Sequence, residues 1–191
     1  MQKRTHNSTK SLVCCALLAA LSVVMARVLC FATPDGIRWS LDKFPLFLAG
    51  LLFGPVLGSL TGFTADFLGS LMQFGFNPLL CPPAILYGLF GGLMRCFIRK
   101  NPSVLRLGIS YALPVVLGSI LYQSAALSYF YFDGTFGAGF LYYLGTRSIQ
   151  FSIMLVAEVA ILYLLLKTGI FSRMGLWTPG KDEKNDSTRG H

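Results

Sequence analysis

Six apolar runs, separated by short polar or proline-containing breaks, occupy most of this chain, and that pattern leaves few folds open. A helix rising 1.5 Å per residue needs about 20 residues to cross the hydrocarbon of a bilayer, where backbone groups find no water to bond. The runs therefore predict an all-α, polytopic membrane protein, a bundle of six transmembrane helices. Of 191 residues, 54% are hydrophobic and only 13% charged, with a mean hydropathy of +0.62, outside the range of soluble globular chains. An ordinary cytosolic enzyme is excluded, and no length remains for a separate catalytic or ATP-hydrolysing domain. The expected organisation is a polar tail over residues 1–10, a six-helix membrane domain over 11–168, and a polar tail over 169–191.

The first run, about 12–32, follows a basic segment and superficially resembles a secretion signal. It is longer than a signal core, carries Arg27, and lacks a small-x-small cleavage site, so the expectation is a first transmembrane helix. A second run over 44–53 has Pro45 in its first turn, where a missing N–H costs nothing, and ends at Gly54-Pro55. A third, 56–72, follows at once. A loop over 74–83, with Asn77-Pro78 and Cys81-Pro82-Pro83, leads into a fourth span ending near 98, and Arg99-Lys100-Asn101-Pro102 marks the next turn. The fifth span runs over about 105–129 with a bend at Pro114, and the sixth over about 142–166.

Lysine and arginine are retained on the cytoplasmic side of short loops, so their distribution sets the orientation. With both termini cytoplasmic, that side receives Lys3, Arg4, Lys10, Arg95, Arg99, Lys100, Arg106, Lys167, Arg173, Lys181, Lys184 and Arg189. The outer side receives Arg38 and Lys43, offset by Asp35, Asp42 and Asp133, and a third outer loop rich in aromatics such as Tyr129 and Phe136. The net charge of +8 thus reports orientation and not a nucleic-acid partner.

Four ionisable residues remain inside apolar runs: Arg27, Asp66, Arg147 and Glu158. Each costs about 2.5–3.5 kcal/mol or more at mid-helix, so each should face a partner or a water-filled cavity. The topology puts Arg27, Asp66 and Arg147 in the outer half and Glu158 deeper. Asp66 paired with one arginine would hold helices together. One carboxylate cannot neutralise two arginines, however, and the surplus positive charge in an outward cavity suits an anionic ligand, which arginine clamps bidentately. Trp39, Phe74, Phe76 and Tyr122 offer stacking surfaces, with interface anchoring as their plainer role, and Gln73, Asn77, Gln123 and Gln150 offer hydrogen bonds. Arg38 lies in the adjoining outer loop. For Glu158 the expectation is structural, a bond to a neighbouring helix or to a coupling partner.

Gly50, Gly54, Gly58 and Gly62 recur every four residues, continued by Asp66 and Ser70. Such rows let helices approach closely in lipid, and because Pro55 divides this one, intramolecular packing of two successive helices is expected, with Asp66 on the packed face. Ala16 and Ala20 form a further small-xxx-small pair. The five cysteines show no CxxC spacing and read as small buried hydrophobes, and the two histidines lie in the polar tails. No metal site and no His-dependent nucleophile is expected.

The stretch Ile37-Arg38-Trp39-Ser40-Leu41-Asp42-Lys43-Phe44-Pro45, followed by LFLAGLLFGPVLGSLTGFTADFLGSL, resembles the second and third helices of the substrate-binding S components of energy-coupling-factor (ECF) vitamin transporters, folate family. The likeness extends over all six spans, to Gly145-Thr146-Arg147. It implies that Ala16 and Ala20 form the family's AxxxA surface for the transmembrane T component, and that Arg27 is the family's first-helix arginine near the ligand. It implies a vitamin substrate, folate or a reduced folate first, bound outside and delivered inward with the T component and two ATPase subunits. A folate glutamate tail would offer carboxylates to arginines, and a pterin would offer an N–H edge to Asp66. The chain has no GxxxxGK[ST] loop, so ATP would be hydrolysed by the partner subunits, with no cofactor on this chain. Other readings are an S component for another vitamin or small metabolite, a self-sufficient secondary transporter, and a membrane-embedded lipid-modifying enzyme. The last has Asp66 and Glu158 at different depths and no nucleophile-base pair. The implied location is the cell membrane, multi-pass.

Overall fold

The computed structural model describes residues 2–28, 30–32, 38–72, 78, 81–100, 103–131, 136–168 and 171. Among these the helices are α1 (Gln2–Val28), α2 (Lys43–Phe53), α3 (Pro55–Leu71), α4 (Pro82–Leu93), α5 (Arg95–Lys100), α6 (Val104–Pro114), α7 (Gln123–Tyr131) and α8 (Phe136–Lys167). A π-helical segment, Val115–Tyr122, joins α6 to α7. Two antiparallel two-residue strands, β1 (Phe31–Ala32) and β2 (Arg38–Trp39), pair Phe31 with Trp39 between α1 and α2.

The expectation of an all-helical membrane fold holds. Thr9–Val28, Val104–Tyr129 and Gly139–Lys167 are each long and apolar enough to cross a bilayer. α1 runs on from the polar segment into the first apolar run, with neither Gly nor Pro between Gln2 and Val28. Two local expectations are corrected. Pro82 and Pro83 belong to the first turn of α4, not to the preceding loop, since proline costs no hydrogen bond there. The fourth run is also interrupted at Met94, where α4 gives way to α5. The bend expected at Pro114 takes the form of the π-helical segment that starts directly after it.

α2 is the centre of the bundle. Every residue from Phe44 to Leu52 is buried, and the helix packs on α1, α3, α4 and α8. Because protein rather than lipid surrounds it, an 11-residue helix is long enough, and its ends can lie inside the molecule. Gly54 turns the chain with φ +99°, a conformation that glycine adopts without strain, and Pro55 starts α3 back along α2. The glycine row does pack successive helices within the chain. A Cβ on Gly58 would lie 2.5 Å from both the Gly50 Cα and the Gly88 carbonyl oxygen. A Cβ on Gly88 would collide with the Gly58 carbonyl, and one on Gly62 with that of Ala84. The α4 glycines Gly88, Gly91 and Gly92 complete this backbone-to-backbone contact.

Candidate ligand-binding site

The hairpin geometry brings charged residues to one end of the bundle. α1 and α3 end there, and α2 and α4 begin there. Arg27, in the last turn of α1, donates from Nη2 to the carbonyl of Gly69 near the end of α3, tying the two helices together. At the head of α2, Ser22 of α1 donates to the Asp42 carbonyl at 2.7 Å. The Asp42 carboxylate accepts from Lys43 Nζ at 2.8 Å and from Ser40 Oγ at 2.6 Å. Burial would raise this carboxyl, but Lys43 and Ser40 outweigh it and hold Asp42 below the usual carboxylate range.

Asp66 lies opposite. Pivoting at Gly54, Lys43 stands 11 residues before the turn and Asp66 12 after it, so an antiparallel pair of helices sets them at one level. The charges that act on Asp66 are those of Lys43, Asp42 and Arg27, and the Cys81 thiol, at the head of α4, bonds its side chain. Burial, together with the neighbouring Asp66 charge, pushes the Cys81 thiol up to about 12, so it stays protonated and acts as the donor. The Asp66 Oδ2 atom is buried and has no hydrogen-bond partner among the described residues. Such an oxygen is costly unless something else bonds it.

The Arg147 guanidinium lies 5.8 Å from the ring centroid of Phe151 on its own helix, with Tyr143 as a neighbour. The cations that act on Asp66 are thus Lys43, as well as the expected Arg27. Lys43, expected among the outer-loop charges, is instead the first residue of α2. Arg38 and Trp39 form β2, with Trp39 half-buried, and Gln123 is half-buried at the start of α7. Gln73 and Asn77 lie outside the described residues. Ala16 and Ala20 are exposed on α1, while Cys15, Ala19 and Ser22 on its other side are buried.

Two buried polar pairs join other elements of the bundle. Tyr111 of α6 donates from Oη to Glu158 Oε2 of α8 at 2.7 Å, so Glu158 does bond a neighbouring helix. Tyr87 of α4 shares a hydrogen bond of 2.9 Å with Ser119 Oγ in the π-helical segment. The Tyr111 ring packs edge-on against Phe47 of α2 at 4.9 Å and beside Tyr87 at 5.5 Å. No group of three or more His, Cys, Asp or Glu capable of holding a metal occurs among the described residues.

Residues 10–170 match the family described as "ECF transporter, substrate-specific component". The chain belongs to that family. It is thus a multi-pass membrane S component of a transporter and not a member of an enzyme family. A solved structure titled "Crystal structure of FolT bound with folic acid" superposes with a TM-score of 0.67 at 27% identity, covering 81% of this S component and 90% of that chain. The "Folate transporter FolT" of Clostridium novyi (strain NT) is 32% identical over 109 residues, which are 53% of this chain and 59% of that protein. This S component thus matches somewhat over half the length of that relative.

Proposed function

We propose that this S component takes up folate or a reduced folate. It binds the vitamin from the outside through six spans with cytoplasmic termini, and delivers it inward with a T component and two ATPase subunits. The observation that carries the reading is the structural likeness to folic-acid-bound FolT over 90% of that chain. The unpartnered buried oxygen of Asp66 at the outward end supports it.

In this reading Asp66 accepts N–H groups of the pterin edge, a heterocycle that presents donors in line. Arg27 stands beside it, and Arg38 and Arg147 meet the glutamate carboxylates further out. Trp39 offers a stacking face, and Gln73, Asn77 and Gln123 supply hydrogen bonds. The α2 and α4 N-termini, both directed at this end, favour ligand oxygens. Folic acid should bind the purified protein saturably, and a protein that binds another vitamin instead would keep the fold and lose this substrate.

The exposed Ala16 and Ala20 are the T-component contact, where two backbones approach closely. Leucine at both positions is expected to abolish ATP-driven folate uptake in liposomes holding the whole transporter, while folate binding to the isolated S component stays within about twofold of wild type. Loss of binding together with uptake would contradict the assignment.

A further inference from the structure

The π-helical segment changes which edge of the fifth span faces the bundle. Up to it, Leu107, Tyr111, Val115 and Gly118 are buried at α-helical spacing. Continued at 3.6 residues per turn, that face would next carry Tyr122 and later Tyr129, yet both are exposed. The next buried residue after Ser119 is Ser124, five positions on, and Ser128 follows one α-turn later. The same segment leaves the Ser124 hydroxyl without the partner that helical serines usually find. Ser59 and Ser148 each donate to the carbonyl four residues back, at 2.7 and 2.6 Å. Here the backbone ladder steps five residues, from the Gln123 N–H to the Gly118 carbonyl, and Ser124 Oγ is buried with no hydrogen-bond partner among the described residues.

Two close contacts of α4 fix where this hydroxyl lies. A Cβ on Gly62 of α3 would collide with the Ala84 carbonyl, and one on Gly118 would lie 3.3 Å from the Pro83 Cα. Both α3 and the π-helical segment therefore meet the first turn of α4. α4 begins at Pro82, whereas the other two chains run on past it: Asp66 lies four residues beyond Gly62, and Ser124 six beyond Gly118. Two buried oxygens without a partner among the described residues, Asp66 Oδ2 and Ser124 Oγ, thus flank the head of α4. One accepts hydrogen bonds and the other can donate.

We propose that Ser124 is a ligand-binding residue, turned inward by the π-helical segment, whose hydroxyl donates to a ring oxygen or nitrogen of the same pterin whose N–H edge meets Asp66. A planar heterocycle with donors on one edge and acceptors on another fits an acceptor and a donor set on two sides of the α4 head. The inference rests on the folate-binding reading, and deepens it by adding a contact on the fifth span.

The test measures two affinities on the full-length purified protein, for folic acid and for pteroic acid, which keeps the pterin and lacks the glutamate, together with the ligand-free melting temperature. Ser124→Ala is expected to weaken both ligands about fivefold, as for one neutral hydrogen bond, with the melting temperature unchanged or higher. Ser110→Ala is the control. Ser110 is as fully buried, and its Oγ likewise has no partner among the described residues, but it lies in α6 before Pro114, away from the head of α4. Its removal is expected to change either affinity by less than about twofold. Unchanged affinity in Ser124→Ala, equal losses in the two variants, or a loss confined to folic acid would overturn the proposal. So would a fall in the melting temperature of Ser124→Ala, the mark of a structural hydroxyl. Wild-type protein that binds neither ligand would overturn the folate reading itself, and is seen before any substitution is made.

Discussion

Alanine at Gly88 is expected to cost the bundle much of its stability, whereas alanine at Gly108 costs nothing. Both glycines are helical, so intrinsic helix propensity predicts a gain of up to about 1 kcal/mol at each. The surroundings decide otherwise. A Cβ on Gly88 runs into the backbone of Gly58 and Ser59, which cannot turn aside as a flexible side chain would. A Cβ on Gly108 meets nothing within 4 Å. Forcing α3 and α4 apart loses the contact of both with α2, at a cost of about 3 kcal/mol or more. For a chain of this size that is a fall of roughly 6–12 °C in melting temperature. Equal behaviour of the two variants in a detergent melting experiment would mean that the glycine contact does not hold the bundle together.

The second large effect separates two residues of the site that sequence reading treated alike. Asp66→Asn removes a buried acceptor but little structure, since no helix is tied by its unpartnered oxygen. Folate affinity is expected to fall about ten- to a hundredfold, the range for losing a hydrogen bond to a charged group. The melting temperature without ligand should hold or rise, because a buried carboxylate oxygen without a hydrogen-bond partner is itself destabilising. Arg27→Ala is expected to lower both quantities, because that guanidinium also donates to the Gly69 carbonyl and joins α1 to α3. A stability loss at Asp66 comparable to that at Arg27 would show that Asp66 is part of the scaffold rather than of the site.

Much of this was legible in the residues. Apolar run length gave the helical membrane fold, and the glycine row on both sides of Pro55 gave the close packing of α2 on α3. The same turn carries a further signal: residues at matching distances on either side of Gly54 come to one level, as Gly50 and Gly58 do at four residues each and Lys43 and Asp66 nearly do at 11 and 12. Lys43 was instead counted as a loop charge, because hydropathy sees an apolar run start at Phe44 and cannot see that α2 begins inside the protein. The α4 glycines were overlooked for a similar reason, as Gly88, Gly91 and Gly92 do not repeat at one spacing. The Tyr111–Glu158 bond joins residues 47 positions apart on helices of different hairpins, and no local periodicity encodes it. Depth along a span, which puts Arg147 level with Asp66, does not by itself tell which face of the bundle a helix occupies; α8 packs on α2, α6, α7 and the π-helical segment.

The central claim is that this S component is specific for folate, and a thermal-shift panel of vitamins on the purified protein tests it most directly. A ligand that binds only the folded state, present at a hundred times its dissociation constant, adds about 2.7 kcal/mol. Folic acid or a reduced folate is therefore expected to raise the melting temperature by roughly 5–10 °C, with the other vitamins leaving it in place. A shift produced by another vitamin, with none from folates, would contradict the account.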